Sequence, residues 1–176
     1  MREHERALGV VTEARGAMER ASRRPDDAGE FADMLTGLEA LRAFLDHDLP
    51  VHIAKEEEAL FPALRSMARL VEDMLGQHDE SRRRRSLLEE MLVVVDTHRD
   101  DILPERDAFT AALQQAVDGA PTDALKDLHE RVMRLDWILQ GHFDDEEEHL
   151  LLPAATLLTA EDLDRLVEEM AAIAAR

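Results

Sequence analysis

Residues 45–60 read LDHDLPVHIAKEEEAL, and residues 135–150 read LDWILQGHFDDEEEHL. Eight of the sixteen positions are identical, so the chain contains an internal repeat with an offset of 90 residues. In each copy the leucines recur at helical spacing, and a histidine followed four residues later by a glutamate continues the leucine stripe. The repeat therefore predicts two amphipathic helices that each carry a His-x-x-x-Glu pair on the apolar face.

The rest of the sequence is also typical of helices, because glycine and proline are scarce and Ala, Leu, Glu and Arg dominate. Residues 23–29 and 118–121 predict loops, and Thr159 with Asp162 resembles a capping box. We predict an all-α fold in a single domain, 1–176, arranged as an up-down-up-down antiparallel four-helix bundle with an additional short C-terminal helix. The predicted helices lie at about 2–22, 30–61, 66–98 and 122–151, with a weaker helical piece near 104–118 and the last helix near 160–175.

Three prolines fall in or next to these helices. Pro62 is expected to end the second helix and Pro153 the fourth, while Pro50 lies inside the second helix. Proline lacks a backbone N–H and disturbs a helix interior, so we expect a kink at Pro50.

Each of the four main helices places one histidine on its predicted inward face, and two of the helices add a glutamate four residues later. A buried, ionised glutamate is costly unless it is paired or bound to a cation. Coincidence between two acidic amphipathic helices would explain the shared leucines and glutamates but not the shared histidines. The pattern therefore predicts a metal site in the core. Its candidate ligands are His4, His52, Glu56, His78, His142 and Glu146.

The composition excludes several classes of protein. The chain has 176 residues, with 40 Asp and Glu against 21 Lys and Arg, and a formal net charge of −19. Such a charge argues against nucleic acid as a partner. The absence of Cys and Tyr excludes disulfides, thiolate ligands and a tyrosine ligand. No apolar run of about 18 residues is present and the N-terminal residues lack the apolar segment of a signal peptide, so we expect no membrane association and a cytoplasmic location.

The stretch His52–Pro62, HIAKEEEALFP, resembles the His-x3-Glu-Glu…Leu-Phe-Pro signature of the hemerythrin-like (HHE cation-binding) family. A second copy at 142–153, HFDDEEEHLLLP, is degenerate at its end, and the resemblance extends over nearly the whole chain. It implies a four-helix bundle that holds a non-haem di-iron centre. The four histidines would be terminal ligands, and Glu56 and Glu146 would bridge two iron ions. Imidazole and carboxylate ligands suit iron, with Mn or Zn as possible occupants.

The third helix departs from the oxygen-carrying hemerythrins, because Arg82 stands four residues after His78 where those proteins have a second histidine. One ligand fewer leaves an open position. The resemblance then implies a protein that binds or senses O2 or NO, or that handles iron. The alternatives are a di-iron enzyme of oxidative or nitrosative stress defence, acting as an oxidase, in peroxide or NO consumption or in iron-centre repair, and a bundle that has lost its metal.

Other residues near the motifs leave alternatives open. His149 follows Glu146 at the ferritin-like spacing and would supplement a ligand, although the repeat has Ala59 at that position, which favours a surface histidine. Arg82 is hypothesised to pair with carboxylates at the site or to hold an anion; the alternative is a surface arginine. The aromatic residues Trp137 and Phe143 are expected to pack in the core.

Overall fold

The computed structural model describes residues 2–75, 89, 100–118 and 122–176. Within these ranges the chain is helical apart from short turns, and they contain no strand. The all-α prediction is therefore confirmed. The up-down topology of a four-helix bundle stays a prediction, and most of the third predicted helix, 66–98, lies outside the described residues.

The first two helices are α1, Arg2–Arg23, and α2, Ala28–Ala43. Asp27 caps α2, because its side chain accepts hydrogen bonds from the backbone N–H groups of Gly29 and Glu30. The two helices approach closely at Gly37, where an added Cβ would lie 3.3 Å from the Cα of Ala14. The predicted loop at 23–29 is confirmed as a short turn between α1 and α2.

The first copy of the repeat belongs to one uninterrupted helical run that begins with α2. The run continues as a π-helical turn at Phe44–Asp48, α3 at Leu49–Lys55, a second π turn at Glu56–Leu60, and α4 at Phe61–Leu75. The prediction that Pro62 ends the second helix was wrong. Pro50 does lie inside the helical run, as predicted, and the kink stays a prediction.

The second copy of the repeat likewise lies in a helical run that continues through a π turn and past its proline. In the helix α5, residues 100–117 are described; α6 then spans Thr122–Glu146 and continues through a π turn, Glu147–Leu151, into α7, Leu152–Leu157. Pro153 therefore does not end its helix, contrary to the prediction. The last helix, α8, spans Ala160–Ala174 and begins with the predicted capping box, in which Thr159 and Asp162 exchange hydrogen bonds.

The two wrong helix ends have a common physical reason. The backbone N–H of Phe61 donates to the carbonyl of Glu56, and that of Leu152 donates to the carbonyl of Glu147. Both bonds span five residues, as in a π-helix, and each closes just before a proline. Each proline then stands in the first turn of a new α-helical segment, where its missing N–H does the least harm.

The chain divides into two compact units, one formed by 1–48 with 98–143 and the other by 49–97 with 144–176. The core of the first unit includes buried residues of α1, α2, the π turn at Phe44–Asp48, α5 and α6: Val11, Leu38, Leu41, Leu45, Phe109, Leu113, Leu128, Leu135 and Leu139. The core of the second includes Leu60, Phe61, Leu64, Leu150, Ala154, Leu166 and Ile173. The single domain over 1–176 stays a prediction.

No helix in the described part of the chain is long and apolar enough to cross a membrane.

Candidate metal centre

The helical stripes place both glutamates of the repeat in the interior. Glu56 is 5 % exposed and Glu146 is 1 % exposed, on the same faces as the buried leucines of the two copies. Glu57, which follows Glu56, and Glu148, two residues after Glu146, are exposed, and Glu147 is partly exposed. The burial of two particular carboxylates within acidic runs is therefore set by helical periodicity.

Three predicted ligands come together in the second unit. His52 in α3, Glu56 at the start of the following π turn and Glu146 at the end of α6 each offer a ligand atom, and these atoms lie within 4.8 Å of one another. The Nε2 atom of His52 is 3.1 Å from Oε1 of Glu56 and 3.4 Å from Oε2 of Glu146. One imidazole thus stands between two carboxylates.

The electrostatics of this trio are unusual for a protein interior. Burial lowers the pKa of His52, but hydrogen bonds and charge from Glu146 and Glu56 outweigh it and raise the pKa to about 10. Burial raises the pKa of Glu56 to about 7; His52 opposes this shift, and the neighbouring Glu146 carboxylate adds to it. Two carboxylates this close together favour a positive charge between them.

The donor set fits a metal ion. Carboxylate oxygen and imidazole nitrogen bind iron, manganese and zinc, and a cation between the two glutamates would offset the cost of burying both charges. An ion that binds Nε2 of His52 takes the place of a proton on that nitrogen. The three side chains are therefore a group that could hold a metal.

Two further predicted ligands lie in the first unit. His4 of α1 and His142 of α6 are buried, and the ring of Phe143 contacts both of them. The centroid of Phe143 is 4.4 Å from that of His4, with the rings nearly parallel, and 5.5 Å from that of His142. Phe143 is therefore a core residue, as predicted. His78, the sixth predicted ligand, lies outside the described residues.

The structure describes some, but not all, of the other residues near the motifs whose roles were predicted from the sequence. His149 is partly exposed and its Nε2 lies 3.8 Å from Oδ1 of Asp145, which is in keeping with a surface histidine. The prediction that Trp137 packs in the core was wrong, because its side chain is 76 % exposed. It lies two residues from both Leu135 and Leu139, which is about 200° around an α-helix, on the opposite face. Arg82 lies outside the described residues.

Two buried acids were not singled out from the sequence, and both are held by arginine. Asp136 accepts a hydrogen bond from Arg15 at 2.6 Å and another from Gln140 at 2.8 Å. Glu105 pairs with Arg131 and Arg134, each at 3.2 Å. These acids already have cationic partners. In the sequence, the only local feature that pointed to Asp136 was the Leu-Asp pair that the two copies of the repeat share.

A helical protein with a buried His and Glu cluster is a candidate cation-binding protein. The family model of the hemerythrin HHE cation-binding domain matches residues 1–119, and the chain belongs to that family. The resemblance drawn from His52–Pro62 is thus confirmed, while the second copy at 142–153 lies outside the matched range. No curated protein and no solved structure matches the chain.

Proposed function

We propose that the chain is a non-haem di-iron protein that binds or senses O2 or NO, or handles iron. The observation that carries the proposal is the group formed by His52 and the two buried carboxylates Glu56 and Glu146, whose ligand atoms lie within 4.8 Å of one another. Membership of a cation-binding family supports a metal as its occupant. The proposed ligands of the two ions are His4, His52, Glu56, His78, His142 and Glu146.

Each residue type has a distinct task in this proposal. Glu56 and Glu146 would hold the ions through their carboxylate oxygens and balance their positive charge. The histidines would be terminal ligands, and the ring of Phe143 against His4 and His142 restricts the rotation of both imidazoles. Bound iron would supply reversible one-electron chemistry and a coordination position for a diatomic ligand.

Iron is preferred to Mn or Zn because O2 and NO bind to ferrous sites, whereas Zn has no redox chemistry. The open coordination position is proposed from the replacement of a second histidine by Arg82 in the third predicted helix. The cytoplasmic location expected from the sequence stays a prediction.

The test is metal analysis of protein purified anaerobically, followed by optical spectra on addition of O2 or NO. We expect two irons per chain in the wild type and in His47→Ala, which removes an exposed histidine from the same helical run. His52→Ala and Glu56→Ala should lose iron and the optical response. A wild type without bound metal, or His52→Ala with wild-type iron content, would contradict the proposal. Catalytic turnover of O2, peroxide or NO would instead favour the di-iron enzyme.

A further inference from the structure

A regular pattern accompanies the π turns of this chain. The turns at Phe44–Asp48, Glu56–Leu60 and Glu147–Leu151 are each followed by a single residue and then by a proline. Within an α-helix a proline removes one hydrogen bond and its ring clashes with the carbonyl four residues earlier, at a cost of about 3 kcal/mol. A π turn placed just before the proline avoids this conflict, so each proline favours the turn that precedes it.

Two of these turns border the candidate metal ligands. Glu56 is the first residue of its turn, and the carbonyl of Glu56 accepts the hydrogen bond from Phe61 that closes the turn. Glu146 immediately precedes the other turn, which is closed by the bond from Leu152 to Glu147. The backbone that carries each buried carboxylate is therefore part of, or directly continuous with, a proline-dependent π turn.

The turns also set which residues share a face with these carboxylates. Buried residues follow Glu56 at Leu60 and Leu64, and the same spacing of four recurs after Glu146 at Leu150 and Ala154. In an undistorted α-helix, eight residues overshoot two full turns by about 80°. A π turn takes up an additional residue, which removes most of this drift. The carboxylate and the apolar core after it can then lie on one face.

We propose that Pro62 and Pro153 are positioning residues for the metal centre. Each excludes the regular α-helical hydrogen bond at its own position, keeps the π turn before it, and so holds Glu56 or Glu146 on the buried face. The inference rests on the proposed function, because positioning matters only if the glutamates bind metal.

The test compares Pro62→Ala and Pro153→Ala with the control Pro104→Ala, which changes an exposed proline in α5. Co(II) serves as the probe, because its visible spectrum reports the geometry of its ligands. We expect Co(II) to bind about ten- to a hundredfold more weakly to Pro62→Ala and Pro153→Ala, which is the range found when residues that orient metal ligands are changed. The spectrum should change in both variants and remain that of the wild type in Pro104→Ala.

A purely structural role predicts a different result. Wild-type Co(II) affinity and spectrum in Pro62→Ala and Pro153→Ala would overturn the inference, whatever the change in thermal stability. Failure of the proposed function would look different again, because the wild type and Pro104→Ala would then bind no metal.

A compensating variant gives a second measurement. Deleting Glu57 in the Pro62→Ala background removes the additional residue of the turn and should restore α-helical spacing between Glu56 and the core. Recovery of Co(II) affinity relative to Pro62→Ala would support the inference. A deletion variant that binds no better than Pro62→Ala would overturn it.

Discussion

The two copies of the repeat carry the same His-x-x-x-Glu pair in different surroundings. In the first copy His52 is partly exposed and is followed by the half-buried Ile53. In the second copy His142 is buried and is followed by Phe143, which is 2 % exposed. The Leu-Asp pair at the start of each copy differs in the same sense, because Asp46 is exposed whereas Asp136 is buried.

This difference suggests that folding stability and metal binding depend on different residues of the repeated motif. The apolar side chains of the second copy are embedded in the core, so changes to them should act mainly on folding stability, whereas Glu146 is a proposed ligand like Glu56. The corresponding positions of the first copy are more exposed, so changes to its non-ligand side chains should cost less folding stability. Pairs of equivalent substitutions test this division.

The largest expected effect is at the residue that follows each histidine. Phe143→Ala removes a buried ring that contacts His4 and His142 and should lower the free energy of unfolding by about 3–5 kcal/mol. Ile53→Ala removes a half-buried side chain and should cost about 1 kcal/mol. Urea unfolding of the metal-free protein, followed by circular dichroism, measures both. Equal losses in the two variants would show that the copies are packed alike.

The next effect concerns the two buried carboxylates. Glu56→Gln and Glu146→Gln should each weaken metal binding by about a hundredfold or more, because loss of a ligand exceeds the effect of residues that only orient ligands. Without metal the same variants should unfold no more easily than the wild type, because His52 keeps one carboxylate partner and one buried negative charge is removed.

Calorimetric titration with Zn(II) and urea unfolding in the presence of a chelator separate these two results. Glu58→Gln, which changes an exposed glutamate of the same run, is the matched control and should retain full affinity. A marked loss of stability in metal-free Glu56→Gln would show that the carboxylates are structural.

A smaller effect is expected at the aspartates. Asp136→Ala removes the buried acceptor of Arg15 and Gln140 and should cost about 2 kcal/mol, since Arg15 is partly exposed and can still reach water. Asp46→Ala should change the free energy of unfolding by less than about 0.5 kcal/mol, because its pairing with Arg42 is exposed. Thermal unfolding of the two variants under identical conditions gives the comparison. A result in which Asp46→Ala costs as much as Asp136→Ala would remove the distinction.

The sequence predicted the parts of the site that depend on local periodicity. Burial of Glu56 and Glu146 follows from their places on the leucine stripes, so it was predictable from either copy alone. The prediction that Trp137 packs in the core was wrong because it disregarded this periodicity, in which Trp137 is out of phase with Leu135 and Leu139.

The rest depends on information that periodicity does not contain. The π turns change the backbone hydrogen-bonding pattern from i→i−4 to i→i−5. In the sequence, the only trace of this change is that the apolar residues after Glu56 and Glu146 are spaced four residues apart. The partners Arg15 and Asp136 are 121 residues apart, so no local pattern connects them. Tertiary contact therefore decided which aspartate of the repeat became buried.

The smallest expected effect lies where the two copies diverge after their prolines. After Pro62, helix α4 continues to Leu75. After Pro153, helix α7 ends at Leu157, and α8 begins at the capping box of Thr159. Thr159→Ala should lower the free energy of unfolding by about 1 kcal/mol, the usual cost of losing a helix cap. Thr36→Ala is the control, because that exposed hydroxyl donates to the carbonyl of Ala32 in its own helix and alanine favours helix.

The acid dependence of the same variants makes this comparison sharper. The hydrogen bond from the Thr159 hydroxyl, together with that from its backbone, lowers the pKa of Asp162 below its ordinary value of 3.8. A carboxyl group with a lowered folded-state pKa stabilises the fold above its unfolded pKa, and this contribution is lost as the pH falls through the folded-state pKa. The wild type should therefore lose stability more steeply than Thr159→Ala below about pH 4, as measured by urea unfolding between pH 2.5 and 6. Parallel curves for the two proteins would show that the Thr159 hydroxyl does not stabilise the ionised Asp162.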